Sequence, residues 1–224
     1  MKRFAALTVV ALAGVAQAAT TYNDSINDLH SGANGFGNID IKSVTVSHDA
    51  TNLYFTLEFR SSIAGTADWG KYQIFMDTVA GGRTDNAWGR NIGTGGRQND
   101  FFMGSWVNGG GGSLLYSAGG AGWNNIAGSS HDLSMAAAGI VKYTISRAAL
   151  GLTGSFHNVF FDVTVTGENG GDPGLDHLSN SGISSPDWVG PNSTPGNYLL
   201  YVIPTPGSLA LLGMGGLVAM RRRR

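Results

Sequence analysis

From Thr51 to Arg60 apolar and polar side chains alternate without a break. Leu53, Phe55, Leu57 and Phe59 fall on one side, and Tyr54, Thr56, Glu58 and Arg60 on the other. A period of two marks a half-buried strand and is incompatible with an amphipathic helix, whose apolar stripe recurs every three to four residues. The pattern returns in Asn158–Thr166, where Phe161, Val163 and Val165 alternate with Asp162, Thr164 and Thr166. Strands are also predicted at 39–47, 71–77, 100–107, 113–117, 140–146 and 198–203. His48-Asp49-Ala50-Thr51-Asn52 is a polar turn between the first two strands, and the glycine-rich segments 109–112 and 119–122 mark loops. One short helical piece is expected at 147–150, stopped by Gly151. Short strands joined by glycine-rich turns predict an all-β fold, a single antiparallel β-sandwich. Each sheet is expected to bury one face and leave the other wet.

Composition narrows the function classes. The chain has no cysteine, which removes disulfides, thiolate–zinc sites and thiol nucleophiles. A hydrophobic share of 42% is too high for a disordered chain. Basic residues gather at the ends, at Lys2 and Arg3 and at Arg221, Arg222, Arg223 and Arg224; between residues 19 and 203 eight Lys and Arg face fifteen Asp and Glu. No basic patch is left for nucleic acid, and no nucleic-acid partner is expected.

The first 18 residues, MKRFAALTVVALAGVAQA, have a basic start, an apolar run from Phe4 to Val15 and small residues at Ala16 and Ala18. This is the layout of a secretory signal peptide cut after Ala18. The apolar run falls short of the ~20 residues that a permanent anchor needs. Export through the Sec translocon and processing by signal peptidase are the partners this implies.

The segment 204–224 reads PTPGSLALLGMGGLVAMRRRR. Pro204 and Pro206 stop any preceding regular element. Ser208 is placed to cap an apolar helix from Leu209 to Met220, and four arginines follow. Such a helix is ~18 Å long against a hydrocarbon core of ~30 Å. The arginines hold it to the cytoplasmic side. A proline motif, a short apolar helix and a terminal arginine cluster together resemble the PEP-CTERM sorting tail. The resemblance implies recognition and cleavage by an exosortase-type membrane protease, with Pro204, Thr205 and Pro206 as the motif and Arg221 to Arg224 as the cluster. Thr205 stands where that family has glutamate. An ordinary tail anchor is the alternative. The implied course is export, transient attachment to the inner membrane by the tail, then residence at the cell surface or in the extracellular matrix.

Residues 19–203 form the passenger, one domain. Its runs IDIKSVTVSHDATNLYFTLEF, KYQIFMDT and VKYTISRAALGL resemble extracellular β-sandwich modules of the CBM9-like and DOMON-like type. The matching residues are Asp49, Asn52, Leu53, Tyr54, Phe55, Asp77 and Ser146 to Gly151. Haem-binding DOMON relatives use Met and His ligands. Met76 and Met103 fall in strands here, but no His pattern accompanies them, so haem is not expected.

No catalytic motif is evident: there is no G-x-S-x-G elbow and no H-E-x-x-H helix, and Glu58 and Glu168 are the only glutamates. His30, His48, His131, His157 and His177 read as solvated loop or strand-edge residues. The chain is therefore read as non-catalytic, a surface hydrolase being the remotest alternative. Thirteen of the fifteen acidic residues are aspartates, which suit turns and calcium loops alike. Two clusters are candidate calcium ligands, Asp24 with Asp28 and Asp172 with Asp176. For an alternative role as a carbohydrate-binding module, Trp69, Trp88, Trp106, Trp123 and Trp188 all stand beside glycine-, asparagine- or aspartate-rich segments; Trp88 and Arg90 form the leading pair, with Trp106 and Trp123. An exposed indole is a platform for a sugar ring, and neighbouring polar groups fix its hydroxyls. Capping of the sandwich core is the competing role for these tryptophans.

Overall fold

The computed structural model describes residues 19–67, 69–154, 156–188 and 192–204. The expected signal segment, Thr205, Pro206, the 209–220 helix and Arg221–Arg224 lie outside the described residues. Among the described residues no helix is long and apolar enough to cross a membrane.

The fold is all-β. Its strands in chain order are β1 (Thr20–Asn23), β2 (Ile41–His48), β3 (Asn52–Phe59), β4 (Lys71–Asp77), β5 (Phe101–Trp106), β6 (Ser113–Gly119), β7 (Gly122–Ile126), β8 (Ser129–Asp132), β9 (Ile140–Ser146), β10 (His157–Thr166), β11 (Gly174–His177) and β12 (Leu199–Ile203). One five-stranded sheet has the order β1-β2-β3-β9-β8. A seven-stranded sheet has the order β11-β10-β4-β5-β6-β7, with β12 also on β10. Every strand pair is antiparallel. β10 is gripped along its whole length: β4 runs beside one edge, while β12 covers residues 157–161 and β11 residues 164–166 of the other.

The two sheets face each other across one core. In β3 the alternation is realised as read, with Leu53, Phe55, Leu57 and Phe59 buried and the intervening residues half-buried. Phe55 meets Phe161 edge-on at 5.3 Å, and Phe59 stacks on Tyr72 at 4.3 Å, so aromatic pairs span the interface. The predicted 147–150 helix is a single turn. Leu150 N–H donates to Ser146 O, and Gly151 follows with φ +66°, a conformation open to glycine.

One expectation is corrected. The outer face of the seven-stranded sheet is not wet. Asp162, Thr164 and Thr166 of β10 are buried, as are Gln73 and Phe75 of β4. The connection 78–100 and the described parts of 178–198 lie over this face, and a second apolar cluster forms there from Phe75, Ile92 and Phe102, with Trp88, Tyr116, Trp123 and Tyr198 packed against it. A strand covered on both sides has no face left to leave in water, which is why the polar members of the alternation become internal hydrogen-bonding groups.

Candidate functional site

Two structures meet at one end of the sandwich: a group of carboxylates and an aromatic cleft. Both draw on the segment between β1 and β2; the carboxylates add β11, and the cleft adds Trp69 ahead of β4 and residues 186–188 after β11.

Asp24 follows β1, Asp28 lies four residues on, and Asp176 sits in β11. One oxygen from each lies within 4.8 Å of the others. The two clusters that looked separate in sequence thus share one member: Asp176 joins Asp24 and Asp28. Asp172 does not belong to this group. Its Oδ2 accepts the Asn169 N–H at 2.9 Å and closes a tight turn. Alternation along β11 explains Asp176, since neighbouring side chains leave a strand on opposite sides. Its Oδ2 accepts the Ile41 N–H at 2.6 Å, at the mouth of the facing sheet, whereas His177 points to the covered face.

The group is short of positive partners. Asp24 Oδ2 and both Asp28 oxygens are sealed from solvent without a hydrogen-bond partner among the described residues. Asp40, also buried, stands close by; Arg60 Nε at 2.6 Å and the Asn27 N–H at 3.0 Å both donate to its Oδ2. Burial pushes Asp24 up to about 8, with Asp28, Asp162 and Asp40 adding like charge. Burial likewise raises Asp28 to about 6 and Asp176 well above the usual carboxylate range. An all-oxygen, anionic, desolvated set of this kind suits a hard divalent cation, with Asp24, Asp28 and Asp176 as the groups able to hold it.

The cleft has a volume of about 650 Å³ and is lined by His30, Ser31, Gly32, Phe36, Trp69, Pro186, Asp187 and Trp188. Phe36 is 41% exposed. Its ring lies 5.1 Å from Trp69 and 5.8 Å from Trp188, the two indoles are 5.5 Å apart, and His30 meets Trp188 edge-on at 5.6 Å. Asp187 is an exposed acid on the rim. Three rings and a carboxylate around an open cleft can take a flat, hydroxyl-bearing ligand.

Of the five candidate tryptophans, Trp69 and Trp188 line this cleft, and the leading ones, Trp88, Trp106 and Trp123, sit elsewhere. Trp88 is half-buried over Gly104, and its Nε1 donates to Tyr116 Oη at 3.2 Å. Trp106 leans on Trp88 at 5.3 Å, and Trp123 Nε1 donates to Asp85 at 2.9 Å. Arg90 is engaged by the protein itself, donating to the carbonyls of Gly167, Glu168 and Asn169. Trp88, Trp106 and Trp123 therefore pack on the outer layer of the seven-stranded sheet. Arg90 lies over the Trp88 ring at 6.0 Å, as the pairing expected, and also supports the turn beneath Trp188, for a Cβ on Gly167 would lie 3.4 Å from Trp188 Nε1.

Two of the histidines expected to be solvated are buried, His30 at 7% exposure and His177 fully. His177 Nδ1 bonds Asp162 Oδ2 at 2.6 Å and its Nε2 bonds Ser193 Oγ at 2.6 Å. The order Ser–His–Asp is that of a hydrolytic triad, and the distances suit one. Yet Ser193 is only 3% exposed, and its Oγ also accepts the Gly93 N–H at 3.3 Å. This chain of groups joins β10, β11 and the 178–198 connection through hydrogen bonds in a buried layer.

The chain matches no known family, no curated protein and no solved structure.

Proposed function

We propose that this chain is an exported, non-catalytic protein of the cell envelope or extracellular matrix that binds extracellular polysaccharide through the cleft of Phe36, Trp69 and Trp188. The cleft is the observation that carries the reading. It presents aromatic faces at the end of a rigid sandwich, with polar groups at its edge, the arrangement by which proteins hold sugar rings. The CBM9-like and DOMON-like resemblance agrees with this in fold class. It is the signal-peptide layout at residues 1–18 and the PEP-CTERM-like tail that support the cellular course: export, transient attachment by the tail, cleavage by an exosortase-type protease and release.

Binding is tested on a panel of plant and bacterial polysaccharides by affinity electrophoresis. Retardation by at least one polymer is expected, abolished in Trp69→Ala and in Trp188→Ala and kept in Trp88→Ala. No retardation by any polymer, or retention in both cleft variants, overturns the reading. Sorting is tested by the intact mass of the extracellular species, which reports both cut sites. Deleting Arg221–Arg224 is expected to mislocalise the chain, and unchanged processing in that variant argues against a sorting tail.

A hydrolase is the second reading, favoured by one observation, the Ser193–His177–Asp162 chain. The burial of Ser193 weighs against it, because a nucleophile must meet its substrate.

A further inference from the structure

The segment 24–40 carries both a wall of the cleft, His30 and Phe36, and two of the three grouped carboxylates. The third, Asp176, belongs to β11. We propose that Asp24, Asp28 and Asp176 bind one hard divalent cation, calcium by the chemistry of the donors, and that this ion fastens the 24–40 segment to β11 and so sets the shape of the cleft.

Independent features of the site point to a ligand. Asp176 is 1% exposed, and its Oδ2 accepts the Ile41 N–H; Asp24 Oδ2 and both Asp28 oxygens beside it are buried without a hydrogen-bond partner among the described residues. Asp40, fully buried beside the group, leaves its Oδ1 without a partner among the described residues. A buried carboxylate oxygen with no donor is costly, and a bound cation relieves several of them together. Among the described ion pairs the cation next to the group, Arg60, is bound to Asp40 Oδ2. The donors are oxygens throughout and come without a thiol, a set that selects calcium or magnesium over zinc or copper. Calcium takes six to eight oxygens at flexible angles, so backbone carbonyls and water can complete a site with three protein carboxylates, whereas magnesium demands stricter geometry.

The mechanical consequence follows from connectivity. Asp24 and Asp28 flank the start of a long connection, and Asp176 is held in a ladder with β10. Leu29, Ala33 and Ile39 anchor this connection in the core; bridging Asp24 and Asp28 to Asp176 adds a tie to β11 that further limits the freedom of His30 and Phe36 two and eight residues further on. This part of the proposal rests on the cleft as the ligand site; cation binding itself does not.

The test uses the full chain stripped with EDTA, titrated with calcium chloride and, in parallel, magnesium chloride by calorimetry at neutral pH. Hydrogen exchange is followed with and without calcium. One calcium per chain is expected, with affinity lowered roughly tenfold or more in Asp28→Asn and in Asp24→Asn, and unchanged in Asp172→Asn. Calcium is expected to slow exchange across 24–40 and 174–177 and to leave the 113–126 hairpin unaffected. Circular dichroism confirms that each variant is folded, and Asp24→Asn stands in if Asp28→Asn is not. Absence of calcium binding, undiminished binding in the folded variant, or bound calcium without protection of 24–40 overturns the proposal. Exchange is read without any sugar, so failure to find a polysaccharide leaves this result intact, and the reverse holds too.

Discussion

Asp176 Oδ2 accepts the Ile41 N–H across 135 positions of sequence, joining β11 of one sheet to the first residue of β2 in the other. The bond is buried, so neither group has water to fall back on. Asp176→Ala is expected to leave the Ile41 N–H unsatisfied and to cost about 1–3 kcal/mol. Urea unfolding followed by tryptophan fluorescence measures it; a cost near zero would show that the ends of the two sheets do not depend on this tie.

His177 bridges Asp162 and Ser193 in the buried layer over the seven-stranded sheet. His177→Ala strands a carboxylate and a hydroxyl at once. A loss of about 1–3 kcal/mol for each stranded group is expected, because buried hydrogen-bonding groups lose their partner. A fluorophosphonate probe is expected to leave the native chain unlabelled. Labelling at Ser193 would show that the nucleophile is reachable and restore the hydrolase.

Arg90 gathers the carbonyls of Gly167, Glu168 and Asn169 with a planar fork that lysine lacks. Arg90→Lys is expected to lower stability by about 1–3 kcal/mol, as for lost hydrogen bonds to a charged group. It is also expected to weaken polysaccharide binding through the turn beneath Trp188. Comparing Arg90→Lys with Trp88→Ala in the same affinity gel separates this support from the packing role of Trp88.

Gly104 of β5 lies directly under the Trp88 ring, and a Cβ there would overlap it. Gly104→Ala is expected to cost about 1–3 kcal/mol by overpacking, read as a lower thermal midpoint. Double substitution with Trp88→Ala should recover part of that loss, since it removes the clash.

Asp49 accepts bonds from the Thr51 and Asn52 N–H groups and from the Thr51 and Tyr54 hydroxyls. These bonds, that of Tyr54 foremost, hold its carboxyl below the ordinary 3.8. A carboxylate depressed in the folded state contributes stability above its unfolded value and loses it as pH falls through the folded one. The wild type is therefore expected to lose this contribution below about pH 4, and Asp49→Asn to lose less over the same interval. Acid titration of the two unfolding midpoints checks the sign.

Much of the fold could be read from the chain because local chemistry decides it. β3, β4 and β9 carry the alternation or apolar run expected of strands, and Asp49 builds the turn between β2 and β3 from its own neighbours. β8, Ser-Ser-His-Asp, and β7, Gly-Trp-Asn-Asn-Ile, carry no such pattern. They are strands because β9 and β6 present ladders to them. The outer layer was hidden for the same reason: nothing near Asp162 in sequence announces that 178–198 will cover it. The cleft needs residues 36, 69 and 188 together, and spacing gives no hint of that convergence. The aspartates are visible as residues, but only the fold shows that Asp176 reaches Asp24 and Asp28 from β11 while Asp172, ahead of that strand, turns back onto the Asn169 N–H.

β12 is tied down more firmly than its five-residue length suggests. It pairs with β10 from His157↔Ile203 to Phe161↔Leu199 and leads straight into Pro204. A protein tethered through that end and tugged at its far side receives the force first at Ile203. The ladder does not bear it alone: Tyr22 Oη donates to Leu200 O at 2.6 Å, and Tyr201 Oη bonds His48 Nδ1 at 2.7 Å. These two rungs pass tension from the last strand to the opposite sheet, so the sandwich resists peeling as a unit instead of shedding its terminal strand.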